Sequence, residues 1–268
     1  MGRVTERRQV MRVHDGATDT RPDTLVVEEP LEIRVAGRPL SVTMRTPGHD
    51  LDLALGFLLT EGLVADAAAI RAATNCADNV VDITLAPDAP EPSADRNFYT
   101  TSSCGMCGKA SIDAVRTVVR YDVSTDRLHI DGSVLTALPD RLRAAQRVFD
   151  RTGALHAAGL FDARGELLCL REDVGRHNAV DKVIGWAAQQ DRLPLRHTIL
   201  QVSGRASFEL VQKAVMAGIP CLAAVSAPSS LAVDLAEETG LTLVGFLRGH
   251  SYNVYAHARR LHPEPARV

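Results

Sequence analysis

The sequence predicts an α/β protein, and three observations carry that expectation. Residues 198–249 read as strand, helix, strand, helix, strand, with short apolar runs alternating with helical patterning. That order calls for right-handed crossovers and a largely parallel sheet with helices on its faces. Just upstream, the apolar runs LHAAGLF and ELLCLRE flank Asp162-Ala163-Arg164-Gly165 and read as a hairpin. The composition is globular: of 268 residues, 46% are hydrophobic and 24% charged, enough for a full core and too apolar for disorder.

Taken in order, residues 1–23 carry Arg3, Arg7, Arg8 and Arg12 beside Glu6 and Asp15, and are expected to form a partly ordered arm. Strand-like runs follow at 24–35 and 40–46, with Gly37-Arg38-Pro39 as the turn between them. Asp50 is expected to cap a helix reaching about Glu61, with Leu51, Leu55, Leu58 and Leu59 on one face and Gly62 at its stop. Val81, Ile83 and Leu85 alternate with polar residues, as in a half-buried strand. APDAPEPSAD (86–95) is the best linker. The expected organisation is an arm over 1–23, a smaller N-terminal α+β domain over 24–95 and a C-terminal α/β domain over 96–268.

In the second domain, Ile112, Val115, Val118 and Val119 mark a helix opening near Lys109, and Leu138, Leu142, Ala145 and Phe149 mark another. A third helix is expected from about Arg176 to Gln189. Strand 198–204, helix 208–217, strand 221–227, helix 231–240 and strand 241–249 complete the chain.

Charge excludes some partners. Lys and Arg total 30 and Asp and Glu 33, a net charge of -3, so nothing draws the chain globally to nucleic acid or an anionic membrane. Aromatics are 4%, too few for a base-stacking platform. The first 23 residues lack the apolar centre of a signal peptide, so a cytoplasmic protein is expected. The uncharged stretch 214–233 is interrupted by Gly218, Pro220 and Pro228, and reads as two buried segments around a turn.

Five cysteines, an odd number, argue against a disulfide framework. Cys169 and Cys221 lie in apolar runs and are expected to be inert core residues, whereas Cys76 has no motif. Cys104 and Cys107 form a close pair in TTSSCGMCGKASI (100–112). Two such thiols can share a metal, form a reversible disulfide or pass sulfur between them. The small polar flank with Gly105 and Gly108 suits a mobile loop, and Lys109 at a helix start favours thiolates. A zinc site needs four ligands, and no second pair has finger spacing. A thiol that carries sulfur or an acyl group is the reading favoured.

Two further clusters suit an anion. REDVGRHNAVDKVIG (171–185) crowds Glu172, Asp173, Arg176, His177, Asn178, Asp181 and Lys182 where a strand enters a helix. Asn178 with Lys182, and His177 with Asp181, share helical faces. The cluster is either a solvated helix start laced with ion pairs or a phosphate site built on Gly175, Arg176 and His177. Ser203-Gly204-Arg205, SAPSS (226–230) and GFLRGHS (245–251) each follow a strand, where ligands of open α/β sheets bind. Together they predict one anion pocket.

Hairpin, helix and βαβαβ also resemble the cytidine-deaminase-like fold, a three-layer α/β sandwich. The zinc enzymes of that fold need H-x-E and P-C-x-x-C. Here the first reads His177-Asn178-Ala179, the second position reads Ser203-Gly204-Arg205, and Pro220-Cys221 has no second cysteine. No metal site is expected.

CGMCGK, EDVGRHNAVDKVIG, SGRASFELVQKA, SAPSSLAV and GFLRG, with TMRTPGHDLDLALGFLLTEGL upstream, resemble the formate dehydrogenase accessory sulfurtransferase family, the FdhD-like proteins. The resemblance covers most of 24–256. It implies a homodimer whose subunits carry a cytidine-deaminase-like C-terminal domain. It implies a protein that takes persulfide sulfur from a cysteine desulfurase and delivers it to the bis(molybdopterin guanine dinucleotide) molybdenum cofactor before formate dehydrogenase receives that cofactor. The family's persulfide cysteine falls on Cys104 and its second cysteine on Cys107. Its cofactor-binding stretch falls on Phe246, Leu247, Arg248, Gly249, His250 and Ser251. Arg176, His177, Ser203 and Arg205 are added from the clusters above, and GDP is expected to act as a partial mimic of the cofactor. The rivals are a non-catalytic molybdenum-cofactor chaperone, which would not need the thiols, and a zinc or redox CxxC regulator.

Overall fold

Asp15 and Gly16 both adopt positive φ (48° and 79°), and the chain reverses there. The result, in a computed structural model that describes residues 3–90 and 120–262, is a hairpin of β1 (Thr5–His14) and β2 (Ala17–Val26). Residues 1–23 were expected as a partly ordered arm, and the described part of them forms this mostly exposed hairpin, a sheet of its own. An Asp-Gly pair at a two-residue turn is a strong hairpin signal, and Arg8 opposite Asp23 and Arg12 opposite Asp19 set complementary charges across it. The expected boundary at 23/24 therefore falls inside β2.

The expected strand 24–35 is two strands, since β2 ends at Val26 and β3 (Glu29–Val35) begins a different sheet. That sheet pairs β4 (Arg38–Arg45), β3, β6 (Val80–Leu85) and β5 (Ile70–Ala77), in that order. The sequence reading did not contain β5, whose residues are half-buried or exposed and lack apolar alternation. α1 (Asp50–Thr60) lies against this sheet, with Leu53, Leu55, Leu58 and Leu59 packed on Leu31, Ile33, Val81 and Ile83. Its N-cap is His49 and not Asp50; Asp50 is spent on Arg45 instead. Gly62, at φ 65°, follows its end as expected.

After the undescribed stretch, β7 (Ile130–Asp131) leads into α2 (Gly132–Ala145) and α3 (Arg147–Thr152). One helix was expected over Leu138 to Phe149. The chain leaves helical geometry at Gln146 (ψ 75°), and the Glu172 carboxylate accepts from the N–H groups of Val148 and Phe149 (3.1 and 2.9 Å), which holds α3 as a separate turn.

The elements expected between 156 and 249 occur in the expected order, and the main sheet gains a further strand, Ser251–Ala256, that the sequence reading lacked. β8 (His156–Asp162) and β9 (Leu167–Asp173) form the hairpin, and α4 (Arg176–Gln189) follows. Then come β10 (Thr198–Val202), α5 (Phe208–Met216), β11 (Cys221–Ala224), α6 (Ser230–Thr239), β12 (Thr242–Arg248) and β13 (Ser251–Ala256). Strand order is β13-β12-β11-β10-β8-β9. β10, β11 and β12 are parallel, and their neighbours β8 and β13 are antiparallel to them. Alternate side chains serve two cores. Leu160, Leu200, Leu222 and Leu243 pack with α4, α5 and α6, whereas Phe161, Ile199, Cys221, Ala223 and Val244 pack with Leu135, Leu138 and Leu142 of α2. Burial on both faces explains why these strands read as continuous apolar runs. The short β14 (Leu261–His262) pairs with β7. The uncharged stretch 214–233 is divided among α5, β11 and α6, and among the described residues no helix is long and apolar enough to cross a membrane.

Two glycines join the domains. A Cβ on Gly56 of α1 would lie 1.9 Å from the Asp181 carbonyl oxygen, and one on Gly185 of α4 would lie 1.8 Å from that of Asp52. The helices therefore cross backbone to backbone, and only glycine fits at both positions.

Candidate functional site

The carboxyl ends of β10, β11 and β12 share one edge of the sheet. There the chain after β10 and the chain after β11 are knitted together: Val225 donates to Val202 O (3.2 Å), Ala206 to Ala227 O (3.2 Å) and Ser229 to Ala206 O (3.1 Å). Ser203 is locked to β8, donating its N–H to Ala157 O (3.0 Å) while its Oγ accepts from Ala157 N (2.9 Å). Its hydroxyl proton stays available to a ligand. β12 ends in a bulge between Gly245 and Arg248, with Phe246 at φ 52°. The bulge buries Leu247 and sends Arg248 to the rim, where Nε donates to Val225 O (3.1 Å) and the guanidinium lies 5.6 Å from the Phe246 ring centre. At Gly245 a Cβ would meet Pro228 at 2.9 Å, so that position also depends on glycine.

Between this edge and α2–α3 lies a cavity of about 720 Å³. Ser203, Val225, Leu247, Arg248 and Gly249 line it from the strand ends, and Asp140, Arg143, Gln146 and Phe149 from the helices. His156 and Val174 complete the floor. Burial lowers the His156 pKa, and Arg176 and His177 nearby lower it further against a smaller opposing effect of Asp173. Arg176 Nε is buried with no hydrogen-bond partner among the described residues. A guanidinium beside the cavity with a buried N–H unbonded among the described residues suits a phosphate.

The predicted anion residues thus separate. Ser203, Leu247, Arg248 and Gly249 line the cavity, and Arg176 stands beside it. Phe246 packs on Arg248 outside the lining, His250 is exposed, and Ser251 Oγ donates to Arg248 O (3.3 Å). Arg205 is exposed and does not line the cavity, because the chain turns outward before the N-cap Ser207. His177 points at α5, with Nε2 3.3 Å from Ser207 Oγ and 3.8 Å from Glu209 Oε2. Burial would raise the Glu209 carboxyl, but its bonds to His177, Ser207 and its own N–H outweigh that and bring it to about 2.

The rest of the 171–185 cluster builds a joint. Asp173 Oδ2 meets Lys182 Nζ at 2.7 Å and Thr46 N at 3.1 Å, and its Oδ1 accepts from Gly175 N (2.8 Å) and Asn178 Nδ2 (3.0 Å). Asn178 and Lys182 share a face and reach the N-terminal domain together, through Met44 O (2.8 Å) and Thr46 O (2.8 Å). On the adjoining face Asp181 takes Lys213 (2.9 Å), which also binds Glu61 (3.0 Å), and Thr60 (2.8 Å). The solvated helix start considered from sequence is corrected: these ion pairs are buried because α1 and β4 cover α4.

Cys104 and Cys107 lie outside the described residues, as does the helix expected near Lys109. Cys169 and Cys221 are buried, and burial pushes each thiol up to about 12. Cys76 is exposed. The sequence reading missed His156, Asp140, Arg143 and Gln146. They come from a helix pair and a strand start that carry no motif, and only the tertiary fold brings them to the strand ends.

An α/β domain with a pocket at the carboxyl edge of its parallel strands defines a class of ligand-binding proteins. Within that class the chain belongs to the FdhD/NarQ family, whose model matches residues 26–262. It is 63% identical over 273 residues to the sulfur carrier protein FdhD of Streptomyces avermitilis, covering 97% of each chain. It is 56% identical to that of Mycobacterium tuberculosis, covering 97% of this chain and all of the relative. Identity to the Sulfolobus acidocaldarius protein of the same name is 44%, over 94% of this chain and 97% of the relative. A solved structure described as a formate dehydrogenase accessory protein, from Desulfotalea psychrophila, shares the fold with TM-score 0.78 at 22% identity, over 97% of this chain and 100% of that one.

Proposed function

We propose that the protein is a sulfur carrier, acting in the cytoplasm as a homodimer, that moves persulfide sulfur from a cysteine desulfurase to the molybdenum of the bis(molybdopterin guanine dinucleotide) cofactor before formate dehydrogenase receives it. The observation that carries the reading is the cavity holding Ser203, Leu247, Arg248 and Gly249 at the carboxyl edge of the sheet, in a chain of the FdhD/NarQ family. The Cys104 thiolate attacks the outer sulfur of the donor persulfide. A new S–S bond forms on Cys104, and the desulfurase cysteine leaves as a thiolate. Cys107, three residues on in sequence, either receives the sulfur or resolves the persulfide to a disulfide.

The cofactor is the substrate, and its nucleotide phosphates match the cavity floor. Arg248 is already oriented by Val225 O, and among the described residues the Ser203 hydroxyl proton and the Arg176 Nε have no partner. Phe246, His250 and Ser251 shape the turn that carries Arg248 and Gly249. With one such strand-edge site in each chain, two guanine nucleotides take two subunits. The test is mass spectrometry after reaction with a desulfurase and cysteine. One added sulfur on the peptide containing Cys104, lost in Cys104→Ala, is expected; a persulfide confined to Cys76, Cys169 or Cys221 would overturn the reading.

A further inference from the structure

β1 and β2 form a sheet by themselves, and both are exposed along most of their length. A two-stranded ribbon in that condition is marginal in water unless something pairs with it. Its root is fixed. Val27 N donates to Val4 O (2.9 Å), Arg151 Nη2 donates to Thr5 Oγ1 (3.3 Å), and β2 packs on α3. The same α3 carries Phe149 into the wall of the cavity, so the hairpin rises beside the cavity mouth.

The two edges of the ribbon differ. β2 carries Pro22 near its middle, opposite Gln9. Proline has no N–H for a ladder, and its ring keeps a further strand off that edge. β1 has no proline or glycine, and its register runs unbroken from Thr5 to His14. It carries Arg7, Arg8 and Arg12 against Glu6. Arg8 bonds Glu6 and stands opposite Asp23, and Arg12 stands opposite Asp19. Arg7 stands opposite Thr24, is exposed, and has no ion pair among the described residues. Exposed Met11 shares its face, two pairs further along. A second copy of β1 would set arginines against arginines, which opposes self-pairing.

We infer that β1 is the docking edge for the formate dehydrogenase that takes the cofactor, and that it pairs with an extended segment of that enzyme bearing acidic side chains. This rests on the proposed delivery to formate dehydrogenase and names where that enzyme holds on. A receiver must come to the cavity mouth, and the root on α3 puts β1 there. Main-chain hydrogen bonds along an open edge supply affinity for an extended segment, and Arg7 selects an acidic one.

The experiment titrates the full chain with formate dehydrogenase purified without its cofactor, using wild type, Arg7→Glu/Met11→Glu and Thr18→Glu. Arg7 and Met11 stand opposite Thr24 and Thr20, so the double substitution breaks no cross-strand ion pair. It should weaken binding by about tenfold or more, and added salt should weaken wild type more than the variant. Thr18→Glu puts the same charge on the strand that Pro22 guards, and should stay within about threefold of wild type. Persulfide loading of Cys104 and the subunit count by sedimentation should be the same in all three. Unchanged affinity in the double variant, or no binding by wild type, overturns the inference. Loss of the dimer, or of loading by the desulfurase, overturns it too, because β1 then serves another occupant. Failure of wild type to load sulfur would sink the proposed function instead, and the titration would still read the edge.

Discussion

Lys182 Nζ lies 2.7 Å from Asp173 Oδ2, and both side chains are buried. Two charges taken out of water are stabilising only when their remaining bonding capacity is met. Here it is: Lys182 also donates to Thr46 O, and Asp173 accepts from Thr46 N, Gly175 N and Asn178. The pair therefore ties the strand leading into α4 to the N-terminal domain, next to the sheet edge that carries the cavity.

Lys182→Met is expected to cost about 3–5 kcal/mol, because it strands the Asp173 charge. Chemical denaturation reads the loss. Adding Asp173→Asn should cost clearly less than a second independent penalty, since the stranded charge is then gone. Additive losses would mean that the two side chains do not act as a pair.

The cysteines should divide by burial. Cys169 and Cys221 hold their protons up to about 12, and neither is open to solvent. Iodoacetamide on the native protein is expected to modify exposed Cys76 and to spare Cys169 and Cys221, which react only after unfolding. Native labelling of either buried thiol would contradict this packing. The division matters for sulfur transfer, because it removes two of five cysteines as carriers.

The parts of the fold legible in the sequence are those where local pattern and tertiary environment agree. α4 runs from Arg176 to Gln189 as expected because both its faces are apolar or paired, and β10–β12 are apolar runs because both sheet faces are covered. β5 was missed because its side chains pack on little. The hairpin was missed although Asp15-Gly16 signalled it, because both strands are almost wholly exposed and carry no apolar face. In the site, strand-end residues Ser203 and Arg248 followed from topology. Asp140, Gln146 and His156 could not, since α2 and β8 come from before the βαβαβ run and reach the cavity only when the sheet closes. The motif at 171–185 was visible, but its chemistry was ambiguous: Asp173 and Lys182 look the same in sequence whether they bind phosphate or one another.

Acid should weaken the fold partly through Glu209. Its carboxyl is brought from 4.5 down to about 2 in the folded protein. A depressed folded value means that the stabilisation is complete above the unfolded value and is lost as pH falls from about 4.5 toward about 2. Allowing for partial exposure, the contribution is about 2 kcal/mol. Denaturation at about pH 5 and about pH 2.5 should show wild type losing roughly that much more than Glu209→Gln over the interval. Equal losses would exclude the His177–Ser207–Glu209 cluster as the source.

Arg248→Ala should weaken GDP binding by about tenfold to hundredfold. The sequence motivates this by placing Arg248 after the last parallel strand. The structure adds the reason it is ready to act: the β12 bulge turns it to the cavity rim, and Val225 O fixes its Nε at 3.1 Å, so little side-chain freedom is lost on binding. Its terminal nitrogens remain to meet a phosphate, and a charge-assisted hydrogen bond contributes roughly 1.5–3 kcal/mol, which converts to that range of affinity. Screening separates this effect from a change of shape. Added salt should weaken wild-type binding more than that of Arg248→Ala, because the charge it screens is absent from the variant. Calorimetric titration with GDP at two salt concentrations measures both. Unchanged affinity in Arg248→Ala would place the phosphates elsewhere along the sheet edge, with Arg176 the next cation to replace.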